Sequence, residues 1–524
     1  MQIPARFLIL ATVLGLNVAF AQNTTTVPIP PASQWIPANE ILTPPEPATP
    51  RINGPKVFGV RPGSPFLYTI PVSGQRPVAY SADNLPEGLT LNADNGRISG
   101  ELTHAGSYDV LLHATNPAGT CERKFRIVCG DTIALTPPMG WSSWNCYLDH
   151  IDQNKITAIA QAMADTGLIN YGFSYINIDD AWQGRRGGPF NAIQPDPVTF
   201  PDIAAMVKQI HSLGLKAGIY STPWVTSYDG RIGGSSESAD GAWDHAAMSK
   251  GPKNKKMLPF AIGNYTFYQQ DAKQWAVWGF DYLKYDWNPN EKPETLAMAD
   301  ALKATGRDII YSLSNGTPFK NLPDFHEAVN LWRISGDITD QWKSLIGNGM
   351  HKDNWAPFNQ PGHYNDPDMM VIGTLSQGTG KLHPTRLTAD EQFTHVSLWC
   401  LLGAPLILGN DLTQLDPFTK SLVTNTEVLD IDQDVLCKQA TIVAEDKQAG
   451  TLVYAKPLED GTWAVGLFNL GEVEGTVSVD WKALGQLSGK QTVRDLWRQK
   501  NLGVFDDRFS VRVHPHGVAL VKIF

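Results

Sequence analysis

The run Ile203-Ala-Ala-Met-Val-Lys-Gln-Ile-His-Ser-Leu-Gly-Leu-Lys-Ala-Gly-Ile-Tyr-Ser221 changes its period halfway along. Before Gly214 the apolar residues Ile203, Met206, Val207 and Ile210 fall at i, i+3, i+4 and i+7, one face of a helix. After it a short apolar segment ends on polar residues, as a buried strand does. The same change occurs twice more. Ile156, Ile159, Ala160 and Met163 stop at Gly167 ahead of Tyr175 to Asp180, and Ala272, Trp275 and Ala276 stop at Gly279 ahead of Tyr282 to Trp287. A helix that repeatedly feeds a buried strand is the unit of a parallel α/β fold. Extending the pattern predicts strands at Met139 to Trp144, Tyr175 to Asp180, Leu215 to Ser221, Tyr282 to Trp287, Asp308 to Ser314, Leu331 to Asp337, His363 to Val371 and Pro405 to Asp411. Eight such strands over about 270 residues predict a (β/α)8 TIM barrel.

Outward from this centre the composition shifts. Residues 1–21 carry one Arg, an apolar run from Phe7 to Leu16, and Ala19 and Ala21 before Gln22, the pattern of a cleaved signal peptide and hence of a secreted or periplasmic protein. Residues 22–55 are Pro-rich and read as an extended linker. Residues 56–130 hold short apolar or alternating runs punctuated by Gly63, Gly74, Gly88, Gly96, Gly100, Gly106 and Gly119, which predicts an all-β sandwich. The barrel takes 131–430. Past about Asp430 helical periodicity gives way to Thr451 to Ala455, Thr462 to Asn469, Gly475 to Asp480 and Val511 to Ile523, so 431–524 should form a C-terminal antiparallel β domain.

The 524 residues exceed one hydrophobic core, in keeping with several domains. With 42 Lys+Arg against 52 Asp+Glu the chain has no basic footprint for nucleic acid or anionic membranes, and a neutral substrate fits the balance better. No apolar stretch after the first is long enough to cross a bilayer. Of the five Cys, Cys121 and Cys129 sit eight apart on one predicted strand, about 26 Å from each other, too far to pair.

In a TIM barrel the functional groups stand at the C-terminal ends of the strands. Here Asp179 and Asp180, Asp286, Asp337, and Asp366 with Asp368 occupy four such ends. A single Asp there is commonly a cap or turn residue. Four ends, two of them preceded by Lys284 or Arg333, call for another reason. Glycoside hydrolysis needs one carboxyl group to protonate the leaving oxygen and a second to act as nucleophile or base. Lys284 shares the parity of Asp286, so both should face the interior and the ammonium should keep Asp286 ionised. Asp337, just beyond its strand, could contact the leaving group and carry a raised pKa as general acid, and spacing alone does not assign the two roles.

The segments Thr136-Pro-Pro-Met-Gly-Trp-Ser-Ser-Trp-Asn145, Ile178-Asp-Asp-Ala-Trp182, Gly218-Ile-Tyr-Ser221, Leu283-Lys-Tyr-Asp-Trp287, Trp332-Arg-Ile-Ser-Gly-Asp337, Tyr364-Asn-Asp-Pro-Asp-Met369 and Ile431-Asp-Gln-Asp434 together resemble glycoside hydrolase family 27. The family holds α-galactosidases and α-N-acetylgalactosaminidases. The resemblance spans 136–524. It implies a retaining double displacement without metal or other cofactor, with Asp286 as nucleophile and Asp337 as acid/base. Its sugar contacts fall on Trp144, Asp179, Asp180, Tyr220, Lys284, Arg333 and Asp368, with Ser314 at the position that reads the sugar 2-substituent. The implied partner is a galactose-containing carbohydrate; the oligomeric state is left open. The run from Leu85 to Tyr108 is similar to the immunoglobulin-like modules that accompany exported bacterial enzymes, which implies fold rather than activity.

Two features depart from the family pattern. At the end of strand five Leu313-Ser-Asn-Gly-Thr317 replaces a Cys-Glu-Trp type segment, and Ser314 favours an α-N-acetylgalactosaminidase as the alternative. After strand three, Trp224 to Pro259 forms a long insertion with Trp243 and the basic Lys253 to Lys256. Retention of both Asp179 and Asp180 favours a hexose over the pentose of the family's β-L-arabinopyranosidases. A barrel kept as an inactive carbohydrate-binding protein is the alternative of another class, and both carboxylates argue against it. His326-Glu327 lacks the second His of a zinc HExxH motif, and His514-Pro-His516 lies in the terminal β domain, so neither predicts a metal site. Asn264 and Asn315 head glycosylation sequons, and no modification is expected at either, since a glycan on Asn315 would fill the site.

Overall fold

The structure, a computed structural model, describes residues 26–27, 40–243, 260–485 and 487–524. The predicted signal peptide, much of the linker and Lys253 to Lys256 lie outside the described residues.

All eight barrel strands are present: β1 (Met139–Ser142), β2 (Tyr175–Asn177), β3 (Lys216–Ser221), β4 (Tyr282–Asp286), β5 (Ile310–Ser314), β6 (Leu331–Arg333), β7 (Tyr364–Asp366) and β8 (Leu406–Leu408). They pair in parallel in the order β7-β6-β5-β4-β3-β2-β1-β8. The seam between β7 and β8 is closed by Met370, whose N–H donates to Ile407 O at 2.8 Å and whose carbonyl accepts from Gly409 N at 3.1 Å. Most strands end sooner than predicted. Asp286 and Asp366 are inside their ladders, whereas Asp179, Asp180, Asp337 and Asp368 all lie past the last paired residue. The backbone must leave the ladder to aim these side chains into the mouth, and Ala181, Asn315 and Asp368 adopt positive φ as it does so.

The helices read from the sequence are α1 (Gln153–Asp165), α2 (Ile203–Ser212) and α3 (Tyr268–Trp278). Asp152 and Asp202 cap the first two through Lys155 N and Ala205 N. Gly214 and Gly279 end α2 and α3 with φ of +82° and +94°, where a side chain would be strained. Ile156, Ile159, Met163, Ile203, Met206 and Ile210 are buried in one barrel core.

The N-terminal module begins earlier than residue 56. Arg51–Ile52 already pairs with Val72–Ser73, because the proline run ends at Pro50 and frees the backbone N–H groups for a ladder. A four-stranded and a three-stranded sheet, with this short pair, enclose the module's own core around Ile98, Leu112 and Ile127. Cys121 and Cys129 share the strand Gly119–Cys129, and all five cysteines are free thiols. The module grips the N-terminal face of the barrel. Arg61 donates to Asp308 through N (3.0 Å) and Nε (2.6 Å) and to Arg307 O (2.6 Å), and Ser64 Oγ accepts from Asp308 N. Thr69, Arg97 and Asn53 add bonds to Gly214 O, Ser212 O and Asn170 O, and Lys216 Nζ sits 4.4 Å from the Phe58 ring centroid.

The C-terminal domain is antiparallel, as predicted, with a six-stranded sheet and a second, smaller one. Val511 to Ile523 is two strands rather than one. Arg508–Val513 and Val518–Ile523 are separated by His514-Pro-His-Gly517, where proline removes a donor and His516 adopts φ +57°. The turn has a structural role. The His516 ring stacks on Trp342 at 4.2 Å, lies 2.8 Å from Glu391, and its carbonyl accepts from Thr394 Oγ1. Trp342 opens the helix Trp342–Gly349 that follows Asp337.

Candidate active site

The C-terminal ends of β1 to β7 bring the predicted residues together. Lys284 is the hub: its ammonium donates to Asp179 Oδ2 at 2.9 Å and lies 4.0 Å from Asp286 Oδ2. Asp179 Oδ2 also accepts from Ser142 Oγ at 3.0 Å, and Asp179 Oδ1 from Asp180 N at 2.9 Å. Burial works against the Lys284 charge, but the two carboxylates outweigh it and hold the ammonium above the usual lysine range.

Asp286 is 4% exposed. Burial pushes its carboxyl up to about 7, against the opposing pull of Lys284. The expectation that Lys284 would settle its ionisation is therefore corrected: desolvation is the larger effect, and Lys284 limits it. On the far side, Arg333 Nη2 lies 2.9 Å from Asp368 Oδ2 and 3.3 Å from Asp337 Oδ1, and Nη1 donates to Ser314 Oγ at 3.4 Å. Asp337 stands at the rim with its side chain 62% exposed. The enclosure expected around a general acid is not found among the described residues. Asp368 is buried, accepts from Ile338 N and Met369 N, and so ties the Asp337 loop to the end of β7.

Asp180 accepts from Ala181 N, Gln183 Nε2 and, across the mouth, Asp229 N at 3.0 Å, and burial raises its carboxyl to about 6. Tyr220 is fully buried, with Lys284 Nζ 5.7 Å from its ring centroid and a hydroxyl that has no hydrogen-bond partner among the described residues. Trp144, half-buried, opens the short helix Trp144–Tyr147 after β1.

Sequence reasoning missed three residues. Ser142 holds Asp179. Asn315, read as a sequon and as part of the altered strand-five segment but not as a site residue, donates through Nδ2 to Asp286 Oδ1 at 2.8 Å. Tyr228, inside the insertion, reaches the same place. Extending the strand-end rule from carboxylates to amides would have found Asn315. No local signal marks Tyr228, because its position depends on the path of a long loop.

A barrel with carboxylates gathered at its mouth, a lysine joining Asp179 to Asp286 and an arginine beside Asp337, has the groups that glycoside hydrolysis requires. The family model described as Alpha galactosidase A matches residues 136–241 and 254–434, the Alpha galactosidase C-terminal beta sandwich domain matches 448–523, and an Ig domain model matches 49–130. The chain belongs to this α-galactosidase family, glycoside hydrolase family 27. It is 33% identical over 407 residues to Alpha-galactosidase 2 of Arabidopsis thaliana, covering 76% of this chain and 92% of the relative. A Bacteroides fragilis protein of known structure superposes with a TM-score of 0.79 at 32% identity, over 91% of this chain and 98% of its own. The family 27 β-L-arabinopyranosidase of Geobacillus stearothermophilus gives 0.62 at 28% identity, over 74% of this chain and 96% of its own. The match to the first model breaks at 242–253, within the insertion after β3.

Proposed function

We propose that the chain is an exported exo-glycosidase that removes terminal α-D-galactosyl residues with retention of configuration. The Lys284–Asp179–Asp286 constellation, with Asp337 on the opposite rim, carries this reading. Asp286 attacks the anomeric carbon as Asp337 gives its proton to the glycosidic oxygen, so the C–O bond breaks and a β-galactosyl ester forms on Asp286. Asp337 then takes a proton from water, which releases α-galactose and restores both carboxyl groups. The leader-like residues 1–21 support export. Asp179 and Asp180 together support a hexose, and Ser314 makes the α-N-acetylgalactosaminide the next best substrate.

Turnover of 4-nitrophenyl α-galactoside, α-N-acetylgalactosaminide, β-arabinopyranoside and α-glucoside ranks the specificities, and faster release from the arabinopyranoside would overturn the galactoside reading. The roles of the two aspartates separate on azide. With Asp337→Ala, azide should intercept the β-glycosyl-enzyme and yield the α-azide. Recovery of the β-azide from that variant would show the assignments reversed.

A further inference from the structure

The end of β5 turns back on itself at Asn315, whose φ of +71° is one that asparagine tolerates better than most residues. That turn lays the amide over the end of β4, where Nδ2 donates to Asp286 Oδ1. From the other side comes Tyr228, carried by the loop after β3. Its ring is held by Trp224 and Phe260, with centroids 5.0 and 5.5 Å away. Its hydroxyl meets the Asn315 side chain and lies in the field of both Asp286 and Asp337. An asparagine amide has two hydrogens, so one reaches Asp286 and the other is available to Tyr228. Asp286 Oδ2 is left on the Lys284 side, 4.0 Å from the ammonium.

We propose that Asn315 and Tyr228 form a positioning pair for the displacement: the Asn315 amide, itself oriented by the Tyr228 hydroxyl, holds Asp286 Oδ1 so that Oδ2 is presented to the anomeric carbon. The inference rests on Asp286 being the nucleophile. It gives the loop after β3 a share in the chemistry, because the loop must be seated for Tyr228 to meet Asn315. It also gives position 315 a reason to be an uncharged donor, since a carboxylate there would repel Asp286.

A turn residue and a positioning residue can be told apart at this site. Asn315→Gly keeps the left-handed turn, which glycine enters freely, and removes only the amide. A donor to an ionised carboxylate is lost, so kcat on 4-nitrophenyl α-galactoside should fall about 10- to 100-fold with KM nearly unchanged. The acidic limb of kcat/KM should move to higher pH, because the ionised form of Asp286 loses support. Asn315→Asp, which keeps the turn preference and the size, should move the limb further in the same direction. Tyr228→Phe should lower kcat less than Asn315→Gly, with an unchanged melting temperature.

Asp286→Gly is measured alongside and should be inactive, with azide giving the β-azide directly from substrate. A wild-type kcat and limb in Asn315→Gly and Asn315→Asp, beside an inactive Asp286→Gly, would overturn the positioning role alone. Normal turnover in Asp286→Gly would overturn the nucleophile assignment and the positioning role with it.

Discussion

At the scale of single residues, burial rather than charge pairing sets the chemistry of Asp286. With its carboxyl pushed up to about 7 and ionisation required for attack, kcat/KM should decline as pH falls below about 7, and a pH series on an aryl galactoside measures that limb. The same shift bears on stability. A carboxyl group raised from about 3.9 in the unfolded chain stabilises the fold below that value, and the contribution is lost as pH rises through about 7. At pH 8 the fold therefore carries an ionised, desolvated Asp286. Asp286→Asn should raise the melting temperature at pH 8 and do so much less at pH 5, while Lys284 keeps its bond to Asp179. An equal change at both pH values would contradict the burial argument. The carboxylates were legible in the sequence because they cluster at strand ends. Their ionisation was not, since it depends on solvent exclusion by residues far away in the chain.

At the scale of elements, the alternation of helix and strand periods located all eight barrel strands, because most of them bury a short apolar run that a short sequence window captures. Loop paths were not legible. The hairpin strands Gln183–Gly187 and Ala192–Pro195 are fastened to α3 by a buried ion pair. Arg186 Nη1 and Nη2 donate to Asp271 at 2.6 and 3.2 Å, and Asp271 also accepts from Ile193 N. Arg186 Nη2 further donates to Gly233 O, which pins the loop that carries Tyr228. Arg186→Ala would leave the Asp271 charge buried and unpaired, so it should cost about 3–5 kcal/mol, readable in a denaturant titration. Arg186→Ala combined with Asp271→Leu should recover most of that loss, because the uncompensated charge is gone.

At the scale of the whole molecule, the N-terminal module is more than an attachment. The sequence alone suggests it can be removed with little effect on small substrates, and its distance from the mouth agrees. Its bonds to Asp308, Gly214, Ser212 and Asn170, however, place it directly on the base of the barrel. Deleting residues 22–130 should leave turnover of an aryl galactoside within a few fold at 25 °C but lower the melting temperature by several degrees, as a thermal scan would show. A truncated chain as heat-stable as the full one would reduce the module to a passenger. The C-terminal domain has a different hold, through the stack of His516 on Trp342 behind the Asp337 loop. Asp286 is held wholly from within the barrel, whereas the helix after Asp337 leans on a neighbouring sheet. Heat damage that begins in that sheet would thus strike proton donation before nucleophilic attack. Samples drawn during slow inactivation should lose the ability to cleave galactosyl sugars, whose leaving alkoxide needs a proton, ahead of nitrophenyl galactosides, whose phenolate departs without one.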